Sequence, residues 1–490
     1  MTADWFAMEA GDDIDGLVGA LGRWSTGRGP LYLLLAGRIR ELIDEGRLRA
    51  GALLPPERTL AAALAVGRTT VVAAYGALRA EGRIVRRQGS GTRVAEAALV
   101  PGGIAETDNP LFMHLLQPPD GVILLSCAAP DGAPSELREA YARMELPGRG
   151  LGYHPAGLPE LRAAIAARYG ARGVPTSPEQ ILVTTGGQQA LSLLTRLLVG
   201  PGDRVMVEAP AYPGALDLLR EAGAVLRPVP VGPDGVDPEA AVRVMSEEQP
   251  ALAYVGSVHQ NPTGRVLPPL VGQRIAAAAA RNGVPLIDDE VPAELAFSGD
   301  APPVMAAYAA DVISVGSLSK AVWGGLRIGW VRASAAMVLR LARLKAVHDL
   351  GTDVPAQLAA ADLLSGLDTL LARRRRELRH GHDHLRELLA RRLPEWDCPA
   401  VRGGQTVWVR LPYGDGVAYA QVALRHGVGV LPGVCLDAGG GNRDRLRLHF
   451  VAPDEVLTEA VERMAVAWAA YDGRGARGGT GAAVLGGITV

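Results

Sequence analysis

Over residues 122 to about 471, short apolar runs alternate with stretches whose apolar residues recur at helical spacing, and no other feature restricts the fold of this chain as tightly. Gln180-Ile181-Leu182-Val183-Thr184, Arg204-Val205-Met206-Val207, Ala251-Leu252-Ala253-Tyr254-Val255, Pro285-Leu286-Ile287 and Val312-Ile313-Ser314-Val315 read as strands. Residues 189–199 and 268–281 read as two of the helices between them. Such alternation predicts an α/β domain around a mainly parallel sheet, with its site on loops beyond the strand ends.

Several of those loops carry chemistry. Val315-Gly316-Ser317-Leu318-Ser319-Lys320 sets a lysine just past a strand, with hydroxyls three and one positions before it and Arg327 seven after. Two hydroxyls and a guanidinium suit a phosphate, and the lysine is then placed to meet an aldehyde on the same ligand. Thr184-Thr185-Gly186-Gly187-Gln188-Gln189-Ala190 runs a strand into a helix, where free backbone N–H groups attract phosphate. Ile287-Asp288-Asp289-Glu290 ends a strand in three acids, one of which is able to pair with a protonated ring nitrogen. Tyr212, in Ala209-Pro210-Ala211-Tyr212-Pro213-Gly214, suits stacking on an aromatic ring. Asn261, in His259-Gln260-Asn261-Pro262-Thr263-Gly264, suits a hydrogen bond to a ring oxygen. Taken singly, the glycines also fit a tight turn and the acids a helix N-terminus. The serine, lysine and arginine spacing is specific as a set.

Lysine is scarce. Of 50 Lys and Arg residues, only Lys320 and Lys345 are lysine. Arginine neither loses its proton nor forms an imine, whereas lysine does both. Lys320 reads as kept for its amine; Lys345, in a helix-like stretch, reads as chance.

The first hundred residues differ in character. Residues 31–95 hold eleven Arg against five acids, a local excess of six positive charges in a chain of net charge -2. Helical spacing over 31–45, a short helix opened by Pro55-Pro56, a turn at Val66-Gly67 and a helix over 68–81 come first. A hairpin from Ile84 to Val94 follows, so the order is that of a winged helix-turn-helix, with Arg68, Thr69 and Thr70 leading the groove-entering helix. Residues 1–29 read as a loose leader, 30–95 as the winged domain and 96–116 as a linker. Residues 117–472 read as the α/β domain and the Gly-rich 473–490 as a disordered tail. Three scattered cysteines predict neither a disulfide framework nor a metal site. The acidic first fifteen residues do not read as a signal peptide and no apolar run is long enough to span a bilayer, so the expected place is the cytoplasm.

Leu54-Pro55-Pro56-Glu57-Arg58-Thr59-Leu60-Ala61, Gly67-Arg68-Thr69-Thr70-Val71 and Arg87-Gln88-Gly89-Ser90-Gly91-Thr92 resemble the GntR-type DNA-binding domain. The residues that this resemblance and the helix order set against double-stranded DNA are Arg58, Arg68, Thr69, Thr70, Arg87 and Gly91.

The later motifs together resemble the fold-type I, class I/II aminotransferases, which bind pyridoxal 5′-phosphate. The resemblance implies that Lys320 forms the Schiff base and Asp289 partners the pyridine nitrogen, with Asn261 on the ring 3′-oxygen and Tyr212 stacked. Gly187, Gln188, Ser317, Ser319 and Arg327 would cradle the phosphate, and Tyr153, in Gly152-Tyr153-His154-Pro155, would reach the phosphate of a partner subunit. Arg447, in Leu446-Arg447-Leu448-His449, would grip a substrate α-carboxylate. The family's usual tyrosine two or three positions after the aspartate is replaced by Val291 and Pro292, which counts against efficient turnover; His449 stands where asparagine is usual.

The two domains in this order resemble the MocR (GabR-like) bacterial transcription regulators. That resemblance implies a homodimer, often head-to-tail, which senses an amino compound through an aldimine at Lys320 and changes its hold on DNA. The competing expectation is an active aminotransferase working on an amino acid, with a DNA-binding domain attached.

Overall fold

The computed structural model describes residues 14–22, 24–26, 30–44, 47–48, 51–80, 83–87, 91–95, 111, 115–116, 120–299 and 302–471. The chain divides into two compact units, Met1–Glu106 and Thr107–Val490. The hairpin tip 88–90 and the expected tail 473–490 lie outside the described residues.

The first unit comprises α1 (Ile14–Leu21), a 3-10 turn (Trp24–Thr26), α2 (Leu31–Asp44), β1 (Leu53–Leu54), α3 (Glu57–Ala63), α4 (Arg68–Ala80), β2 (Ile84–Arg87) and β3 (Gly91–Val94). The hairpin pairs Ile84 with Val94 and Arg87 with Gly91, and β1 adds a third antiparallel strand on β3. Leu35, Ile39, Leu42 and Ile43 of α2 are wholly buried with Leu60, Val71, Tyr75 and Leu78. The Tyr75 hydroxyl donates to the Pro55 carbonyl at 2.9 Å, tying α4 to the start of α3. Val72, next to the buried Val71, is exposed, because consecutive helical residues point about 100° apart. The leader differs from expectation. Leu17 and Leu21 of α1, one helical turn apart, are buried in this same core.

The second unit is built on an eight-stranded sheet. In chain order after β4 (Ile123–Leu124), its strands are β5 (Ile181–Thr184), β6 (Arg204–Ala209), β7 (Val225–Gly232), β8 (Gly235–Val236), β9 (Leu252–Val255), β10 (Leu286–Asp289), β11 (Ile313–Ser317) and β12 (Gly329–Arg332). The order is β5-β12-β11-β10-β9-β6-β7-β8. Strands β11, β10, β9, β6 and β7 run parallel, while β12 is antiparallel to both its neighbours and so leaves β5 parallel to β11. Alternate residues enter two cores. Ile181, Val183, Ala253, Val255 and Leu286 pack on one face, and Leu182, Leu252, Tyr254 and Ile287 on the other. A sheet covered on both faces explains why its strands read as continuous apolar runs. A smaller antiparallel sheet, β13 (Thr406–Arg410), β16 (Arg445–His449) and β15 (Leu431–Pro432), presents Arg447 opposite Trp408. The short β14 (Val428–Gly429) pairs with β4.

Residues 96–116 were expected to be linker. Leu111 is instead buried against Trp408, Leu431 and Leu436 of the second unit.

Candidate functional site

Because β5, β6, β9, β10 and β11 are mutually parallel, their C-terminal ends fall along one edge of the sheet. The loops leaving those ends enclose a cavity of about 390 Å³. Lys320, Asp289, Asn261, Tyr212 and Arg447 line it, together with Gly187, Gln188, Ser319 and Arg327.

Lys320 follows β11 and its Nζ donates to the Ala128 carbonyl. Burial holds its pKa below the ordinary lysine value; Cys127 and Asp289 oppose that shift, and Arg447 and Arg327 add to it. A larger share of the amine is therefore neutral and nucleophilic near neutral pH.

Strand periodicity separates the two aspartates. Asp289 shares a face with Ile287 and Tyr254, and its carboxylate accepts the Tyr254 hydroxyl at 2.6 Å and the Val291 N–H at 3.1 Å. Burial raises its pKa while those bonds and the Lys320 charge work the other way. Asp288 points to the opposite face, wholly buried, and is used up by the Ser257 N–H and hydroxyl and the Met305 N–H. Its pKa too is raised by burial.

Arg447 reaches the cavity from β16. One Nη donates to Asn261 Oδ1 at 3.0 Å and the other to the Ser126 carbonyl, while the buried Nε has no protein partner. Burial lowers the guanidinium pKa to about 10. The Tyr212 hydroxyl donates to Gln188 Oε1 at 3.1 Å, and Gln188 Nε2 donates to the Gly214 carbonyl at 3.1 Å. His449, in the same strand as Arg447, donates from Nε2 to the Leu124 carbonyl at 2.9 Å, and burial lowers its pKa to about 4.

The residues expected to cradle a phosphate gather near the β5–helix turn. Gly186 has φ +112, and a Cβ there would meet Arg327 Nη2 at 2.7 Å, so only glycine lets the guanidinium cross the turn to the Thr185 carbonyl. Arg327 itself is held at φ 54, an uncommon conformation for a side-chain-bearing residue. Ser319 lines the cavity. Ser317 stands behind it, buried, with its hydroxyl donating to the Ile328 carbonyl at 3.1 Å and free to accept the Ser319 hydroxyl at 3.0 Å. Tyr153 is 63% exposed and is outside the cavity lining.

An amine at a strand end, an opposed carboxylate, an aromatic ring and a glycine-lined turn crossed by arginine fit pyridoxal 5′-phosphate. The unpartnered Nε of Arg447 leaves a buried donor for a ligand anion.

Other cavity residues escaped the sequence reading. Tyr254 is one. Glu208 is a second, 2% exposed, accepting from Gln260 Nε2 at 3.1 Å and the Gly256 N–H at 3.0 Å, with its pKa pushed up to about 8 by burial. His259 is a third, buried at φ 50 with neither ring nitrogen partnered, its pKa lowered by burial to about 4. A polar residue inside an apolar strand end was the available signal for Tyr254 and Glu208.

In the first unit Arg58, Arg68 and Thr69 are exposed and Thr70 is half-buried, at the starts of α3 and α4. Gly91, exposed, opens β3 opposite Arg87 at φ +81, where a Cβ would meet Leu53 Cδ1 at 2.8 Å.

Comparison with known proteins matches residues 120–464 to the family described as aminotransferase class I and II, and residues 31–94 to the bacterial regulatory proteins of the gntR family. The HTH-type transcriptional regulator YdcR of Escherichia coli K12 is 31% identical, over 83% of this chain and 92% of its own. MocR of Rhizobium meliloti, named a probable rhizopine catabolism regulatory protein, is 34% identical over 62% of this chain and 65% of its own. Among solved structures, LysN, the α-aminoadipate aminotransferase of Thermus thermophilus complexed with N-(5′-phosphopyridoxyl)-L-leucine, superposes with a TM-score of 0.69 at 30% identity. That alignment covers 75% of this chain and 96% of LysN.

Proposed function

The chain belongs to the class I and II aminotransferase family and carries a gntR-family domain ahead of it, and from that premise we propose that it is a pyridoxal 5′-phosphate-dependent, DNA-binding transcription regulator that senses an amino compound through Lys320. One observation carries the reading: a single cavity gathers the Lys320 amine, the Asp289 carboxylate and the Arg447 guanidinium, in a chain whose first unit is a winged helix-turn-helix.

When bound, the cofactor supplies an aldehyde that condenses with amines and a ring that withdraws electrons. Gly187, Gln188, Ser319 and Arg327 would hold its phosphate, with Ser317 fixing Ser319 from behind. Tyr212 would cover the ring, Asn261 would donate to its oxygen and Asp289 would pair with its protonated nitrogen. Lys320 would present its amine to the cofactor's aldehyde, and Arg447 would receive the carboxylate of an amino compound. The ligand alters DNA binding only through unequal affinity for two arrangements of the protein. The DNA contacts are Arg58, Arg68, Thr69, Thr70, Arg87 and Gly91.

We assign the active form to a homodimer in which Tyr153 serves the partner's phosphate. Leu151, 88% exposed, and Val347, 83% exposed, give the second unit apolar surface that a second copy would cover. No helix among the described residues is long and apolar enough to cross a membrane, and a bacterial cytoplasmic location goes with the DNA-binding role.

The second reading is an active aminotransferase, favoured by the same Lys320, Asp289 and Arg447. Val291 and Pro292, both lining the cavity and standing where the aminotransferase resemblance leads one to expect a tyrosine, weigh against it. A panel of amino acids added to the loaded protein decides: single half-reactions that alter retardation of promoter DNA support the regulator, and multiple turnovers without effect on DNA support the enzyme.

A further inference from the structure

We infer that Lys345 is a positioning residue for the phosphate end of the cofactor site, an inference that rests on the pyridoxal phosphate reading above. Lys345 lies in the helix Ala335–Asp349 with its side chain fully buried, and its Nζ donates to Asp349 Oδ1 at 2.7 Å. A buried ammonium is costly unless paired, so the lysine and the carboxylate hold each other in place.

Asp349 collects two further donors. The Gly351 N–H donates to Oδ1 at 2.9 Å and Gln189 Nε2 donates to Oδ2 at 2.6 Å. With its nitrogen committed to Asp349, Gln189 has its Oε1 turned toward the Thr185 N–H, which it accepts at 2.9 Å. The Thr185 carbonyl in turn accepts the Arg327 guanidinium. An unbroken hydrogen-bonded chain therefore runs from Lys345 through Asp349, Gln189 and Thr185 to Arg327. It begins at a residue outside the cavity and ends at the turn and the guanidinium that line it.

A second branch leaves the same carboxylate. Asp349 braces the turn in which Leu350 has φ 59 and Gly351 φ +138. Gly351 packs so closely on His154 that a Cβ would fall 2.8 Å from the His154 carbonyl oxygen. His154 follows Tyr153. One ion pair, with its lysine buried and its carboxylate partly exposed, thus supports both the chain's own phosphate turn and the backbone beside the tyrosine offered to a partner. This also accounts for the second lysine in a chain that otherwise uses arginine: an enclosed site with one acceptor suits a compact ammonium, not a planar five-donor fork.

The test compares pyridoxal 5′-phosphate with pyridoxal, which lacks the phosphate, by absorbance titration of full-length wild type and Lys345→Met. The expected result is at least a tenfold loss of affinity for pyridoxal phosphate with pyridoxal changed less than twofold. Equal losses for both ligands, or no loss, would overturn the inference, since a merely structural role does not distinguish them. Gln189→Met leaves the Lys345–Asp349 pair intact and cuts the chain further on. Should Lys345→Met fail to fold, Gln189→Met must reproduce the selective loss, and a non-selective result there overturns the inference. A wild-type protein that forms no imine band sinks the cofactor reading instead, so the two failures are distinguishable.

Discussion

The hydroxyl of Tyr254 donates to Oδ2 of Asp289 at 2.6 Å across two neighbouring parallel strands, β9 and β10. The bond favours the carboxylate, against a burial that raises the Asp289 pKa. A phenol absent from Val291 and Pro292, two and three positions after Asp289, is thus present beside it, serving the acid.

Tyr254→Phe removes a hydrogen bond to a charged acceptor, an effect of about 1.5–3 kcal/mol. Asp289 then holds its proton more readily and partners a protonated ring nitrogen less well. Affinity for pyridoxal phosphate should fall by about tenfold or more, read by absorbance titration. Unchanged affinity would show that Asp289 does not need the phenol.

The depressed pKa of Lys320 has a kinetic signature. Condensation needs the neutral amine, so the rate of imine formation should rise with pH and level off below 10.5, the ordinary lysine value. Stopped-flow absorbance measures it; a rate still climbing past that value would contradict the burial argument. Lys320→Ala should lose the imine band at every pH.

Gly186→Ala tests the phosphate turn. Its φ of +112 and the 2.7 Å approach to Arg327 Nη2 leave no room for a methyl group. Backbone strain of about 1–3 kcal/mol and displacement of Arg327 should weaken pyridoxal phosphate binding by about tenfold. Affinity equal to wild type would mean that the turn opens without cost.

The strands and the loop that brings Lys320 to the cavity were legible because each depends on local order: apolar runs of four or five residues, and Ser-x-Ser-Lys followed by Arg327. What was missed depends on distance along the chain. Tyr254 and Asp289 are 35 positions apart, and Lys345 reaches Arg327 only through Gln189, 156 positions before it. Arg373 pairs with Glu136, 237 positions away, at 2.6 Å. Helix α1 was missed because eight residues with two buried leucines are too few to establish a period. Ser317 matched a motif, but its hydroxyl turns to Ile328 and Ser319, a choice that spacing does not encode.

Arg68 is exposed at the first position of α4, where a groove-entering helix meets DNA. Arg68→Ala should cost about 1–3 kcal/mol in affinity if the side chain reads a base. If it holds a phosphate instead, the slope of log affinity against log salt should shrink by about one. Retardation assays at several salt concentrations separate the two, and unaltered binding would remove Arg68 from the interface.

Glu208 gives the cofactor-free protein a pH-dependent stability whose sign is opposite to that of a paired surface carboxylate. Burial raises its pKa from 4.5 to about 8 in the folded chain. Between those values the native state keeps a proton that the unfolded chain releases, so stability falls as pH rises. The contribution is complete below 4.5 and lost as pH passes 8, with a slope of up to ~1.4 kcal/mol per pH unit from this one group. Glu290, also raised to about 8 by burial, adds a slope of the same sign. Glu208→Gln removes the Glu208 share while keeping an oxygen for the Gly256 N–H and for Gln260. Its melting temperature should therefore decline less steeply than that of wild type between pH 5.5 and 8, and parallel declines would mean that Glu208 is already ionised at the acid end of that range.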